Sequence, residues 1–560
     1  MYYVSQEQIK EYQEKGVWPK ETNLDRLRAT AIEHPEKIAI VDPPDKEHLV
    51  GLKPERITYK ELDRSIDAVA TAFLKMGIKK DDIIMVQMPN TWELFLSYFA
   101  IWRVGAICTP FAAQWRSRES DYIAGLTDAK AYIVAEEFGG FDYVKLAEEI
   151  QRKNPTIEHV ITLNQLRGMA KGEIAKEELD KVKQDANEIC FIYWTSGTEA
   201  DPKACPHSHN NLYCEGEMIR WNNALQEGAT ILAPFPQCNA AAAYANWIPW
   251  ILTRGTYVLH HPFTPEIFIN QLIEEKITWT AAAPSMILYI LKHPKVNEFD
   301  LKRLKHIGCG SAPPSKFIVD GLFKRWNTKL TNLWGQSECT QMSVGPDEIP
   351  DMDLIANSWL PWYGRKGVEW KNPMGRTIET KIIDIETMEE QTKPGQVGEL
   401  LYKGPNRIAR YFRQPERTRA SFTEDDFFHT GDNFEIGENN LIRYFDRRKD
   451  IIIRGGFNIS AQEIEGIVSA HPKVIEAAVV AMPDPILGEK CCVYVVPKAG
   501  ETVTLEDIKS FVKEQNVAVY KLPERLEVID KLPRNPAQKI LKVALREDVK
   551  KKLSEESMSE

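Results

Sequence analysis

The sequence predicts an α/β protein divided into a large N-terminal region and a small C-terminal one, and three observations carry that prediction. Short apolar runs bounded by turns, KIAIVD around Ile38, DIIMVQM around Ile84, AYIVAE around Ile133 and HVITL around Val160, alternate with helix-length amphipathic stretches such as TYKELDRSIDAVATAFLKMG. That rhythm belongs to helices layered on largely parallel sheets. The 560 residues, with 43% hydrophobic, 10% aromatic and 27% charged side chains, exceed one ordinary core and leave no room for a mostly disordered chain. Finally, the charge-dense DRRKD at residues 446–450 separates LIRYF from the apolar run IIIRGG. Beyond it, a strand, a helix over about residues 461–471 and the strands EAAVVAM and CCVYVVP are enough for a small α+β unit.

Several classes are excluded on the way along the chain. The opening MYYVSQEQIKEYQEKGVW carries charges where a signal peptide needs an apolar core, and no A-x-A pattern follows, so a cytoplasmic location is expected. The longest apolar stretch, residues 239–252, is broken by Pro249 and too short to cross a bilayer, and is expected as buried core or a pocket wall. A net charge of -10, from 71 Lys plus Arg against 81 Asp plus Glu, works against attraction to a phosphate backbone, so nucleic acid is not an expected partner. Nine cysteines spread from Cys108 to Cys492 show neither a C-x-x-C pair nor zinc-ligand spacing and are expected as reduced, mostly buried thiols. The charged end REDVKKKLSEESMSE is expected as a helix that frays.

The strongest chemical signal is EICFIYWTSGTEADPKACPHSH, where an apolar run enters a loop of Thr195, Ser196, Gly197 and Thr198 and leaves it through Pro202 and Lys203. Consecutive hydroxyls and a glycine turn O–H and backbone N–H donors towards one point, and Lys203 adds positive charge, which suits polyphosphate. The loop is not the Walker type, and hydroxyl-rich turns also occur for structural reasons alone. KHIGCGSAPP then ends a strand in a small-residue turn, Gly310, Ser311 and Ala312, open to a planar base. LTNLWGQSE offers an aromatic face at Trp334 and a carboxylate at Glu338 suited to a hard cation. Thr430, Gly431 and Asp432 place a carboxylate in a turn, and KLPRNPAQKILK sets Lys539 after a proline-rich turn. His207 and His209 follow the loop, but without a third ligand they do not make a zinc site and are expected to cap a helix or face solvent.

These segments, in this order, resemble the adenylate-forming superfamily of acyl-CoA synthetases, nonribosomal adenylation domains and luciferases, over roughly residues 25–545. The family's T-S-G-T-[ST]-G-x-P-K-G is matched by Thr195, Ser196, Gly197, Thr198, Pro202 and Lys203. Its Y-G-x-[ST]-E is matched by Trp334, Gly335, Gln336, Ser337 and Glu338, and its T-G-D by Thr430, Gly431 and Asp432. Its hinge segment [GD]-R-x-[DK]-D is similar to residues 446–450 and its closing P-[KR]-[TN]-x-x-G-K to residues 533–539. The chain departs from the pattern at Glu199, Ala200 and Ala204 in the loop, at Gln538 before Lys539, and at Gln237, where many relatives carry histidine.

The resemblance implies a large N-terminal domain of layered α/β subdomains with a small β-barrel-like part over residues 1–445, a hinge at 446–450, and a small mobile α+β domain over 451–560. It implies an AMP-forming acid–CoA ligase using ATP, Mg²⁺ and coenzyme A, possessed of no integral membrane segment and compatible with an oligomer. Lys539 would bridge the acid and the α-phosphate, and Lys449 would serve as the hinge. Thr195, Ser196, Gly197, Thr198, Lys203, Gly310, Ser311, Ala312, Trp334, Gly335, Gln336 and Ser337 would hold the nucleotide, with Asp432 and Arg447 on the ribose. Glu338 and Thr198 would hold the metal, and Gly455, Gly456 and Phe457 would admit coenzyme A. Gln237, Ala240, Tyr244, Gly308 and Gly335 would wall the acyl pocket, whose small and flat residues favour a compact ring such as cyclohexanecarboxylate. The alternatives are a benzoate or medium-chain fatty acid–CoA ligase, an adenylating enzyme with another acceptor, and a non-catalytic nucleotide-binding relative. The residues leave the direction of the reaction open.

Overall fold

In the computed structural model, which describes residues 1–195, 201–311, 313–339, 342–346, 348–384, 386–447, 450–454, 457–515, 517–535 and 540–559, the apolar runs of the sequence become strands. KIAIVD supplies Ile38–Val41, DIIMVQM supplies Ile83–Gln87, AYIVAE supplies Ala131–Val134 and HVITL supplies His159–Thr162. Among the described residues, the largest sheet has eight strands. Its central strands run parallel from Lys329–Trp334 through His306–Cys309, Trp279–Ala282, Thr230–Ala233 and Thr256–Leu259 to Ile38–Val41. Short antiparallel strands, Met342–Val344 and Arg56–Thr58, finish its edges. A second, six-stranded sheet is ordered Ala204–Ser208, Ile189–Trp194, Ile107–Pro110, Ile83–Gln87, Ala131–Val134, His159–Thr162, and only its edge strand Ala204–Ser208 is antiparallel.

A parallel sheet needs cover on both faces, and the helices divide that work by their composition. Helix Trp92–Arg103 is apolar almost all round and every residue of it is buried between the two sheets. Its Phe95 meets Tyr257 of the larger sheet with ring centroids 5.3 Å apart, and its Tyr98 meets Phe191 of the other at 5.0 Å. Helix Tyr59–Lys75 is amphipathic instead: Thr58 and Glu61 form a capping box, and Tyr59, Leu62, Ile66, Val69 and Phe73 make the buried stripe. The stretch at residues 239–252 becomes the short helix Ala240–Ala242, a π-helical turn Ala243–Trp247 and helix Ile248–Thr253, with Trp247 and Trp250 fully buried.

The part expected to be barrel-like is a six-stranded antiparallel sheet: Trp359–Pro361, Leu441–Arg447, Phe428–Ile436, Val397–Lys403, Glu379–Ile383, Glu390–Gln391. Past residue 451 a separate sheet of five strands, Phe457–Ile459, Ile452–Arg454, Gly488–Pro497, Val474–Asp484 and Arg525–Val528, has cores of its own. Ile464, Val468, Val479 and Val493 fill one of its faces, and Val480, Tyr494, Leu545 and Val549 the other. Helix Ala461–Ser469 is shorter than the expected 461–471, and the charged end is helix Lys542–Ser559. All nine cysteines are free and all but Cys238 are buried. No helix among the described residues is long and apolar enough to cross a membrane.

Candidate active site

Strand Ile189–Trp194 leads into Thr195, and Ala204–Ser208 pairs back antiparallel against it, so Thr195 and Lys203 stand opposite each other. The Thr195 amide donates to Lys203 O at 3.2 Å, and the Lys203 amide donates to Thr195 Oγ1 at 3.3 Å. Ser196, Gly197, Thr198, Glu199 and Ala200 lie outside the described residues. Lys203 Nζ donates to Glu338 Oε1 at 3.2 Å and to Tyr411 OH at 3.3 Å. Tyr411 OH in turn donates to the same Glu338 oxygen at 2.8 Å. The Glu338 side chain is 5% exposed and that of Lys203 42%, so a buried carboxylate meets a half-exposed ammonium. Burial, together with Glu338, pushes the Tyr411 phenol well above its ordinary value and keeps it a donor.

The backbone before Glu338 is held as well. His207 Nε2 lies 2.8 Å from Ser337 O, and because a carbonyl only accepts, Nε2 carries the proton. Burial lowers His207 to about 4, so the ring is neutral. His207 and His209 thus correct the expectation of capping or solvent-facing roles, at 0% and 4% exposure. The cause is tertiary: the Tyr193 ring lies 5.6 Å from that of His207 and the Trp102 ring 4.5 Å from that of His209, both edge-on.

Thr430, Gly431 and Asp432 lie within strand Phe428–Ile436, where Gly431 takes a φ of 67° that glycine adopts without strain. Asp432 Oδ2 accepts from Trp334 Nε1 at 2.9 Å and from Gln336 Nε2 at 3.0 Å, and Gln336 Nε2 also donates to Thr430 O at 2.7 Å. Trp334 and Gln336 thereby form one unit with Asp432, about a hundred positions away, at the end of strand Lys329–Trp334. Arg447 is the cross-strand partner of Asp432, although its side chain lies outside the described residues. Gln237, Gly310 and Gly335 all follow the carboxyl ends of parallel strands in the larger sheet, Thr230–Ala233, His306–Cys309 and Lys329–Trp334. That end of an open α/β sheet is where ligands bind.

A cleft of about 300 Å³ opens there. Ser311, Trp334 and Asp432 line it from the large part, and Glu465, Arg534 and Ile540 from the small one. Arg534 and Ile540 flank Lys539, which with Gln538 lies outside the described residues, as do Ala312, Lys449, Gly455, Gly456 and the side chain of Phe457. Among the described residues no three His, Cys, Asp or Glu side chains gather as a metal cage. A single buried carboxylate at Glu338 suits a cation that shares its coordination with substrate oxygens, the usual habit of Mg²⁺.

The residues expected around the acid are placed less evenly. Gln237 is fully buried, with its amide committed inside the core: Tyr257 OH donates to its Oε1, and its Nε2 donates to Phe235 O at 2.6 Å. Ala240 and Tyr244 are also buried, the latter within the π-helical turn. At Gly308 an added Cβ would stand 2.8 Å from Leu333 Cδ1 and 3.0 Å from Ala281 Cβ, so strand packing already requires glycine there. Sequence reasoning missed Tyr411, which sits 73 positions from Glu338 in a segment with no motif of its own.

Comparison with known proteins adds independent findings. The family model described as AMP-binding enzyme matches residues 27–412, and that of the AMP-binding enzyme C-terminal domain matches residues 463–539. The chain is 30% identical over 547 residues to a 2,3-dihydroxybenzoate-AMP ligase of Bacillus subtilis, covering 97% of this chain and 96% of that protein. It is 28% identical to a medium-chain fatty-acid–CoA ligase of Escherichia coli, covering 98% of this chain and 94% of the other. Its fold matches the crystal structure of an anthranilate CoA ligase in complex with anthranoyl-AMP with a TM-score of 0.81 at 20% identity, over 96% of this chain and 99% of that one.

Proposed function

The chain belongs to the AMP-binding enzyme family and is an adenylate-forming acid ligase, and from that premise we propose that it joins a compact cyclic carboxylic acid to coenzyme A. In the first half-reaction a carboxylate oxygen bonds to the α-phosphorus of ATP while the bond to the departing pyrophosphate breaks, leaving an acyl-adenylate. In the second, the coenzyme A sulfur bonds to the acyl carbon, AMP leaves, and the thiol proton passes to solvent.

Two anions meet in the first step, so the site must hold fixed positive charge where they approach. Lys203 supplies it at the mouth of the hydroxyl-rich loop, beside Thr195, Ser196, Gly197 and Thr198, and Lys539 supplies it between the acid and the α-phosphate. Glu338 and Thr198 would hold Mg²⁺, which when bound would offset charge on the phosphate oxygens. Asp432, with its cross-strand neighbour Arg447, would take the ribose hydroxyls, while Gly310, Ser311, Ala312, Trp334, Gly335, Gln336 and Ser337 would border the base and phosphates. Residues 446–450, with Lys449 as the hinge residue, are the proposed hinge between a domain of residues 1–445 and one of 451–560. Turning about it would exchange Lys539 for Gly455, Gly456 and Phe457 and let the thiol in.

The observation that carries this reading is the pairing of Lys203 with Glu338 and of Asp432 with Trp334 and Gln336, residues brought together from different sheets, with Trp334 and Asp432 also lining a cleft that Arg534 and Ile540 line from the small part. For the acid, the committed amide of Gln237 and the small side chains of residues 240–243 support an apolar and compact group. The names of the similar proteins, acting on dihydroxybenzoate, anthranilate and medium-chain fatty acids, support the same size range. Each buried CH₂ contributes about 0.8 kcal/mol, so the roughly five extra carbons of cyclohexanecarboxylate contribute about 4 kcal/mol, and its kcat/KM, like that for benzoate, should exceed that for acetate by up to about 10³-fold. An acid panel assayed by AMP release measures this, and preference for acetate or for long chains would overturn the cyclic acid. Adenylate formation without thioester would overturn coenzyme A as acceptor.

A further inference from the structure

Helix Ala461–Ser469 of the small part is seated on the large part at both of its ends, and the charges at those ends are opposite. At its start the N-cap Ser460 Oγ donates to Phe445 O at 2.7 Å and lies 3.3 Å from Asp446 Oδ2, which also accepts from the Gln462 amide at 3.4 Å. At its finish, Lys292 reaches across from the end of helix Pro284–Leu291. Its Nζ donates to Ser469 O at 3.0 Å and to Val474 O at 2.8 Å. A carboxylate at a helix N-terminus and an ammonium at its C-terminus both match the helix dipole. Lys292 is largely withdrawn from water, with the Glu476 carboxylate near enough to act on its charge but, among the described residues, no carboxylate bonded to it, so these two carbonyls take over the solvation of the ammonium.

What the seated helix carries gives the contact its meaning. Gln462, Glu465, Gly466 and Ser469 of this helix line the cleft. Glu465 is paired at 2.9 Å with Lys542, the first residue of the helix that follows Lys539 and Ile540. The chain of contacts therefore runs from Lys292 to the helix, from the helix to Lys542, and from there to Ile540, which lines the cleft with Trp334 and Asp432.

We propose that Lys292 is a positioning residue for the adenylation step, holding the small part in the orientation that sets Arg534 and Ile540 against the nucleotide cleft. It rests on the adenylation chemistry proposed above, and the same hold must loosen before the thiol step.

Lys292→Met keeps the stem and its apolar packing but removes both donors, and Lys292→Arg restores them. Hydrogen exchange on the full-length protein without substrates reads the seat directly. In Lys292→Met, peptides covering residues 467–475 and 288–295 should exchange about tenfold faster, with the rest of both parts unchanged and the arginine variant like wild type. With a panel acid that wild type uses, ATP–pyrophosphate exchange should fall about tenfold while thioester formation from supplied acyl-adenylate stays within about twofold. Unchanged exchange at both peptides, or equal loss in the two half-reactions, would overturn the proposal. Should wild type use no acid of the panel, the acid reading fails and the exchange measurement alone decides the role of Lys292.

Discussion

Tyr411 gives Glu338 Oε1 a hydrogen bond at 2.8 Å that Lys203 alone does not replace, because the carboxylate is buried and the ammonium half exposed. Hydrogen bonds to charged groups contribute about 1.5–3 kcal/mol, so Tyr411→Phe should lower kcat/KM for adenylate formation by about 10- to 100-fold while leaving the fold intact. ATP–pyrophosphate exchange checks this, and an unchanged value would mean that Tyr411 only fills space. Lys203 and Glu338 were legible in the sequence because each sits in a short motif whose spacing is local. Tyr411 was not, since it meets them only after the chain has crossed the antiparallel sheet. His207 was visible as a residue but not in its surroundings: nothing within HSH announces that its ring will lie against Tyr193 and donate to Ser337 O.

Helix His209–Asn222 packs so closely on helix Ile248–Thr253 that a Cβ at Gly216 would lie 2.2 Å from Ile248 Cγ2 and 2.8 Å from Ile248 Cβ. Helix propensity alone would make Gly216→Ala stabilising by about 1 kcal/mol, but the clash should turn the sign and cost about 1–3 kcal/mol. Gly168, in helix Leu163–Met169 with nothing within 4 Å of an added Cβ, is the control in which propensity wins. Thermal unfolding of the two variants should therefore move in opposite directions. The parallel strands were readable because burial on both faces leaves an unbroken apolar run. The π-helical turn Ala243–Trp247 was not, because the alanine run preceding it is compatible with any helical geometry and the fifth-residue bonding is imposed by packing.

Across the whole molecule, burial leaves several histidines neutral, with His207, His260 and His261 lowered to about 4 and His209 to about 3. Each folded value lies below the unfolded one of about 6.5, so the unfolded chain binds protons that the native state refuses. Their contribution to stability is complete above about pH 6.5 and is lost as the pH falls towards the folded values. His209, whose ring sits 4.5 Å from that of Trp102, offers the cleanest test. The stability difference between wild type and His209→Leu should shift by about 2 kcal/mol in the variant's favour between pH 7.5 and pH 5, measured by urea unfolding. A difference that stays constant with pH would show that His209 titrates alike in both states.

Lys203 and Glu338, bonded to each other and to Tyr411, behave as an internal salt. An anion that recruits Lys203 strips Glu338 of its counter-ion, and a cation that takes Glu338 strands the ammonium. Either visitor alone must break the pair without replacing what it removes, whereas the two together exchange one neutral set for another. On the function proposed above, affinities for a cation and an anion at this place would be linked, each tightening the other by the same factor, so the pair would act as a coincidence detector for a metal and a polyphosphate arriving together.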